Sequence, residues 1–334
     1  MSYTRKLQKI GESLFVSLPK SWVERMQLNQ GDIIALVEQP DGSLILYPEF
    51  RKETLNQITL NVDAKETTRS LKRRITGTYV DGFDVIKLKA VDNFTGEQQD
   101  AIREITDALF GLEIVEVTSN MITIQCLLTK TLPIEKTIQR IHSTIRSMFS
   151  ETLLALKERN PEASKGVIKR TRDVKRLSLV VHRLLRSLIL FPTERPSEMK
   201  PIDSVDFLRV IDKITEVSGA VKKIAESVIT EGQTFPNSIL DSLLKTSNKV
   251  LELYDWSMQA LRSKDLELAN RVLDEKPKLN FDDLWELLQK EEKKMKISGP
   301  AFSHIHRIID NFKQIYLYAL EISEIAIDRA EELS

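Results

Sequence analysis

Two periods divide the chain. Through about residue 130, apolar and polar positions alternate in short runs broken by Gly, Pro and Asp; beyond it they recur every three to four residues in long stretches. At the start, "SLFVSLP" sets Leu14, Val16 and Leu18 on one face against Ser13, Phe15 and Ser17 on the other, the period of a strand. "RKLQKIG" before it reads as a partner strand with Leu7 and Ile10 as its apolar positions, and Gly11 stands where a tight turn is needed. Pro19 ends the strand. "KSWVERMQL" predicts a short helix with Trp22, Val23 and Met26 inward, stopped at "NQGD" by Gly31. "IIALVEQPDGSLILYP" predicts a hairpin turning at "PDG". These elements occupy about 50 residues and make a thin core, so a partner is needed to complete burial. Interleaved hairpins from a second copy would supply it.

After a polar linker, "RKETLNQ", the order changes. "ITLNVD" and "FDVIKLKAV" read as strands, each followed by a helix, in "AKETTRSLKRRITGTYVDG" and "GEQQDAIREITDALFGL"; "EIVEVTS" and "MITIQCLL" form a hairpin. The order βαβαββ predicts a ferredoxin-like layer with helices on one face. Arg69, Lys72, Arg73 and Arg74 lie in one helix, with Arg69 and Arg73 on a shared face. Such a run serves as a phosphate- or DNA-facing patch or as a solvated helix face, the latter being the commoner use. No glycine-rich phosphate loop accompanies it.

The remainder predicts six long helices, roughly 132–158, 162–191, 202–231, 234–263, 265–294 and 300–332. Pro161, Pro196, Pro201, Pro236 and Pro300 fall at helix starts or in connections, and Pro277 predicts a break or kink in the fifth helix. In the third, Ile211, Ile214, Ser218, Val221, Ala225 and Val228 form a bundle seam. Two sets of three helices imply two three-helix bundles. The expected fold class is multidomain α+β. The domains are a swapped-hairpin unit over 1–50, the α/β layer over 51–130, and bundles over 131–231 and 232–334.

Lys+Arg and Asp+Glu both number 49, so attraction to a polyanion must come from a local patch. Residues 1–25 supply one: Arg5, Lys6, Lys9, Lys20 and Arg25 against Glu12 and Glu24. The single cysteine, Cys126, reads as a small apolar residue of a buried strand and excludes an internal disulfide, consistent with a reducing, cytoplasmic setting. No apolar run reaches the roughly 20 residues of a membrane span. His142 and His182 are isolated, and His304 and His306 point to different sides of a helix. No nucleophile–base constellation is recognisable, so no catalytic role and no cofactor are expected.

"KIGESLFVSLPKSWVERMQLNQGDIIALVEQPDGSLILYP" resembles the AbrB (SpoVT–AbrB) swapped-hairpin domain, through Gly11, Leu18-Pro19, Leu28, Gly31-Asp32 and the apolar strand Ile33 to Val37. The resemblance implies an intertwined homodimer that binds double-stranded DNA. By analogy Arg5, Lys6 and Lys9 on the first strand, with Lys20 and Arg25 around the helix, would face the duplex. "DVKRLSLVVHRLLRSL", "LRVIDKITEVSGAVKKIAESV" and "ALRSKDLELANRVL" resemble the PhoU family, and the order of the two segments is similar to archaeal AbrB–PhoU fusions.

That second resemblance implies regulation of phosphate uptake through a phosphate transporter or sensor-kinase component, without membrane insertion. PhoU helices commonly carry Glu-x-x-x-Asp metal ligands. The corresponding positions here are Thr171, Lys175, Thr215, Gly219, Lys278, Asp282, Tyr316 and Leu320, of which one is a carboxylate, so no metal cluster is expected. Asp212 and Glu216 form a separate i,i+4 carboxylate pair. The combined expectation is a dimeric transcription regulator of phosphate homeostasis. The alternative is an adaptor that does not touch DNA and inhibits a phosphate transporter by protein contact.

Overall fold

The structure, a computed structural model, describes residues 3–38, 42–48, 55–128, 133–190, 199–275, 281–294 and 297–331. Pro40, Asp41, Pro196 and Pro277, to which a turn, a connection and a kink were assigned above, lie outside them. The chain divides into two units, Met1–Leu55 and Asn56–Ser334.

The first unit has β1 (Gln8–Ile10), β2 (Ser13–Phe15), α1 (Lys20–Arg25), β3 (Ile34–Glu38) and β4 (Leu44–Pro48). β1 and β2 pair antiparallel from Gln8↔Phe15 to Ile10↔Ser13, and β3 and β4 from Ile34↔Pro48 to Glu38↔Leu44. The strand expected to reach Leu18 ends at Phe15, because its partner offers only three residues to pair with. None of the described side chains of this unit is buried. Met26, expected inward, is exposed, while Trp22 and Val23 are half-buried.

The second unit opens with the α/β layer: β5 (Gln57–Val62), α2 (Thr68–Val80), β6 (Val85–Ala90), α3 (Gly96–Ala108), β7 (Leu112–Val117) and β8 (Met121–Cys126). The sheet order is β5-β6-β8-β7, with β5 and β6 parallel and the other pairs antiparallel. The element order is the expected βαβαββ. Its first two strands lie side by side, a connectivity different from the β-α-β-β-α-β order of split βαβ folds.

Alternation decides the layering. Val62, Ile86, Leu88, Ala90, Ile122, Ile124 and Cys126 join Leu71, Ile75, Tyr79 and Ile102 of the helices in one core. Thr59, Asn61, Lys89 and Glu113 alternate with that apolar set and are exposed. Each helix is started by a side chain. Thr67 caps α2 by accepting from Ser70 N, and Thr95 and Gln98 form a reciprocal capping box on α3. Gln98 Nε2 also donates to the carbonyls of Asp63 and Glu66, joining the two loops that follow β5 and β6. Gly111 has φ 78°, and a Cβ there would lie 2.5 Å from Leu128 Cγ, so only glycine fits.

The helical part comprises α4 (Ile134–Lys157), a 3-10 turn with α5 (Lys165–Leu190), α6 (Pro201–Glu231), α7 (Asn237–Ser263), α8 (Leu266–Asp274), α9 (Asp282–Lys293) and α10 (Gly299–Glu331). The expected fifth helix is thus two, α8 and α9. All six predicted seam residues of α6 are buried. The two sets of helices share a continuous core from Ile138 to Ala326. Polar ties cross it. Arg329, 4% exposed, donates to Asp203 Oδ1 through Nε (3.2 Å) and Nη2 (3.0 Å), with its guanidinium 4.2 Å from the Phe207 ring centroid. Arg159 at the end of α4 donates to the carbonyls of Gln233 and Phe235 and to Asn237 Oδ1.

Arg183 of α5 fastens this bundle to the α/β layer. Its Nη1 donates to the carbonyls of Tyr79 (2.7 Å) and Phe83 (2.9 Å), and its Nη2 to Asp84 Oδ1 (2.8 Å). Asp84 Oδ2 accepts from the backbone N–H of Asn56 at 3.1 Å, so one carboxylate ties helix, layer and entering chain together. Both side chains of the pair are buried. Removing one partner leaves the other charge buried and unpaired. Arg183→Met should therefore lower unfolding free energy by about 3–5 kcal/mol in urea titrations, with far-UV helicity of the folded state retained.

Asp255 of α7 performs a related task at the edge of the bundle, where it meets His142 Nε2 at 3.1 Å and accepts from Arg146 Nε at 2.7 Å. Burial raises its pKa, but the hydrogen bonds from His142 and Arg146 outweigh that and leave it below the ordinary aspartate value. The folded value is the lower one, so the stabilisation is complete above an ordinary aspartate pKa of about 3.9 and lost as pH falls through the folded value. Unfolding of Asp255→Asn and the parent, measured over that range, should converge as the solution is acidified.

Candidate nucleic-acid interface

The first unit holds all five cations that the sequence assigns to a duplex, and Arg5, Lys6, Lys9, Lys20 and Arg25 are all exposed. Local chemistry explains where each sits. Lys9 lies at the centre of β1, opposite Leu14. Gly11, at φ 64°, makes the tight return to β2. Pro19 fixes the entry to α1, and its carbonyl accepts from Trp22 N and Val23 N. That start places Lys20 in the first turn of α1 and Arg25 in the last. Asp32 closes the exit by accepting from Asn29 N at 2.7 Å.

Lys20 stands 3.7 Å from Glu24, with side-chain exposures of 90% and 65%; an exposed pair of this kind contributes little and yields readily to a phosphate. Among the described residues Arg5 makes only a local bond, from Nη1 to the Thr4 carbonyl, beside the Tyr3 ring. Tyr3 is the residue the sequence reading did not single out. Its hydroxyl lies 3.0 Å from Ser21 Oγ, so the arm that carries Arg5 is held against the first turn of α1. Tyr3 and Arg25 then line a common groove of about 530 Å³ with Trp22, Leu18, Leu44 and Leu46. The structure thus brings Arg25 and the Arg5 arm to one groove, while Lys9 stands on the hairpin. An aromatic residue just ahead of a run of cations was the available signal.

The apolar surface of this unit is larger than its size warrants. Leu7, Ile10, Leu14, Ile33, Leu36 and Leu44 are each 57–67% exposed. So much exposed apolar surface on so small a unit marks a contact surface.

At two of the positions where the resemblance to PhoU implies metal ligands, threonines have other partners. Thr171 Oγ1 donates to the Val167 carbonyl, and Thr215 Oγ1 bonds Ser178 Oγ (2.7 Å) and the Ile211 carbonyl (2.6 Å). Lys278 lies outside the described residues. Of the Asp212–Glu216 pair, Asp212 faces His182 Nε2 at 3.1 Å. Burial lowers the His182 pKa, against the attraction of Asp212. Among the described residues no three His, Cys, Asp or Glu side chains gather as a metal site, and no helix is long and apolar enough to cross a membrane.

Two family models match the chain. Residues 7–53 match the antidote-toxin recognition MazE, bacterial antitoxin family, and residues 138–228 match the PhoU domain. No curated protein matches. The phosphate transport system regulatory protein PhoU from Streptococcus pneumoniae aligns with 60% of this chain and 94% of its own, at a TM-score of 0.50 and 14% identity. PhoU from Pseudomonas aeruginosa aligns with 60% and 96%, at 0.51 and 11%. At these identities the likeness is one of fold, and its extent exceeds the segment matched by the PhoU model alone. The chain thus joins an N-terminal segment similar to the MazE antitoxin family to a helical segment similar to the PhoU domain.

Proposed function

We propose that this protein is a dimeric, DNA-binding transcription regulator of phosphate uptake. The observation that carries the reading is a first unit with no buried side chain among its described residues, much exposed apolar surface and five exposed cations. A second copy laid on that surface would bury it, and two-fold symmetry would double the cations into one basic surface on a neutral protein. Backbone contacts from Arg5, Lys6, Lys9, Lys20 and Arg25 would position the duplex, with sequence read largely through its shape. The PhoU half would report phosphate status through a transporter or sensor-kinase component, as the family's regulatory character suggests.

Two experiments test this. Gel shifts over a salt series should give binding that weakens steeply with salt and is lost in the Lys9→Glu, Arg25→Glu double variant. Salt-independent binding, or none, favours the adaptor that acts by protein contact alone. Sedimentation should show a dimer in the parent, while Leu14→Asp with Leu36→Asp yields monomers. Both leucines are exposed in a single copy, where such changes would cost little. A parent that sediments as a monomer at working concentrations overturns the dimer.

A further inference from the structure

A second basic site lies in the other unit, formed by residues that the sequence keeps about one hundred positions apart. α2 carries Arg69, Lys72, Arg73 and Arg74 and no carboxylate. The fold divides the four. Arg74 is committed to Glu66 Oε2 (2.6 Å) and the Asn61 carbonyl (3.0 Å), where it steadies the loop after β5. Lys72 meets Glu104 of α3 at 2.5 Å. Arg69 and Arg73 are exposed and engage no ion-pair partner among the described residues. α5 crosses α2 and adds Lys175, likewise exposed and unpaired among the described residues. Together with Thr68, Thr76 and Gly77 these cations line an open groove of about 670 Å³.

Three features suit the groove to a chain of phosphoryl groups. Arg69 and Arg73 are one helical turn apart, about 6 Å along the axis, and each presents a planar fork of donors that matches phosphate oxygens. Thr68 is the first residue of α2, so its end of the groove carries the positive pole of a 13-residue helix. Gly77 keeps the floor clear. It lies inside a helix, where glycine is destabilising relative to alanine, yet a Cβ there would meet nothing within 4 Å. Packing does not require that glycine, and it lines the groove.

We propose that this groove binds a small oligophosphorylated anion, either free polyphosphate or the phosphate chain of a nucleotide. The cations converge from two crossing helices on a concave surface, which favours a compact ligand over a rigid duplex. The proposal rests on the regulator reading only for its biological meaning, as an effector site. Binding itself is independent of DNA.

Calorimetric titration of the full chain with sodium tripolyphosphate, and separately with ATP, tests it. Tripolyphosphate should bind, and Arg69→Glu with Arg73→Glu should weaken it by about tenfold or more, as loss of charge-assisted bonds predicts. Arg262→Glu, a charge reversal in α7, should leave it unchanged. Gly77→Leu should raise the melting temperature and still lose the ligand, which separates binding from folding. Comparable affinities for tripolyphosphate and ATP assign the phosphate chain as the recognised group; a strong preference for ATP makes the ligand a nucleotide. Absence of tripolyphosphate and ATP binding, equal weakening by Arg262→Glu, or displacement by duplex DNA that depends on Arg69 and Arg73 would overturn the proposal. Loss of DNA binding in the Lys9→Glu, Arg25→Glu variant with anion binding intact identifies the two sites as separate.

Discussion

A guanidinium buried without water must find acceptors for its donors and a negative charge for its own, and the place where it finds them becomes a fixed point. Arg183 is that point here. Two backbone carbonyls from the end of α2 and the turn after it, and one carboxylate at the head of β6, take its hydrogen bonds. The guanidinium lies 5.2 Å from the Tyr79 ring centroid, and Tyr79 donates in turn to the Phe110 carbonyl. Burial pushes the Tyr79 hydroxyl well above its usual range, so it remains a neutral donor beside that cation. None of these acceptors is on the helical bundle, so α5 cannot move away from the layer without stranding a charge. This polar joint adds to the apolar contact that Leu179 of α5 makes with the core of the α/β layer.

The first unit is the opposite case. Its backbone is paired in two short hairpins, but its side chains bury nothing completely. Apolar residues such as Leu14 and Leu36, more than 60% exposed, forgo the burial free energy that a domain of this size needs to offset its conformational entropy. The proposed dimer would supply that burial, and the same symmetry that would bury the leucines would also collect the cations.

Much of this was legible in the residues, for identifiable reasons. The seam of α6 and the βαβαββ order follow from local periodicity, which sequence displays directly. The pairing order of the sheet was less accessible, since it depends on which strands meet after the chain has turned twice. The break that Pro277 predicts in the fifth helix agrees with two separate helices, α8 ending at Asp274 and α9 beginning at Asp282, because proline cannot continue a helical ladder. Long-range ties were invisible for a different reason. Arg183 looks in sequence like any solvated cation of "VVHRLLRSL", and nothing near it reveals an acceptor 99 residues away. The same holds for Lys175, whose neighbours in the groove are on another element.

That groove and the joint share a helix. Lys175 and Arg183 lie eight residues apart on α5, about 12 Å along its axis, and α2 supplies both the groove's arginines and the Tyr79 carbonyl that Arg183 grips. An anion held between α2 and α5 therefore acts on the same pair of helices that Arg183 locks. Asp84 extends the linkage by one step: its second oxygen holds the N–H of Asn56, the first residue of the second unit. Coupling in the thermodynamic sense requires that a ligand favour one arrangement of that joint over another by a definite free energy. A buried charge pair supports two discrete arrangements better than a continuum, because intermediate positions leave its hydrogen bonds unmade. The joint thus resists displacement, at the point where the chain enters the second unit.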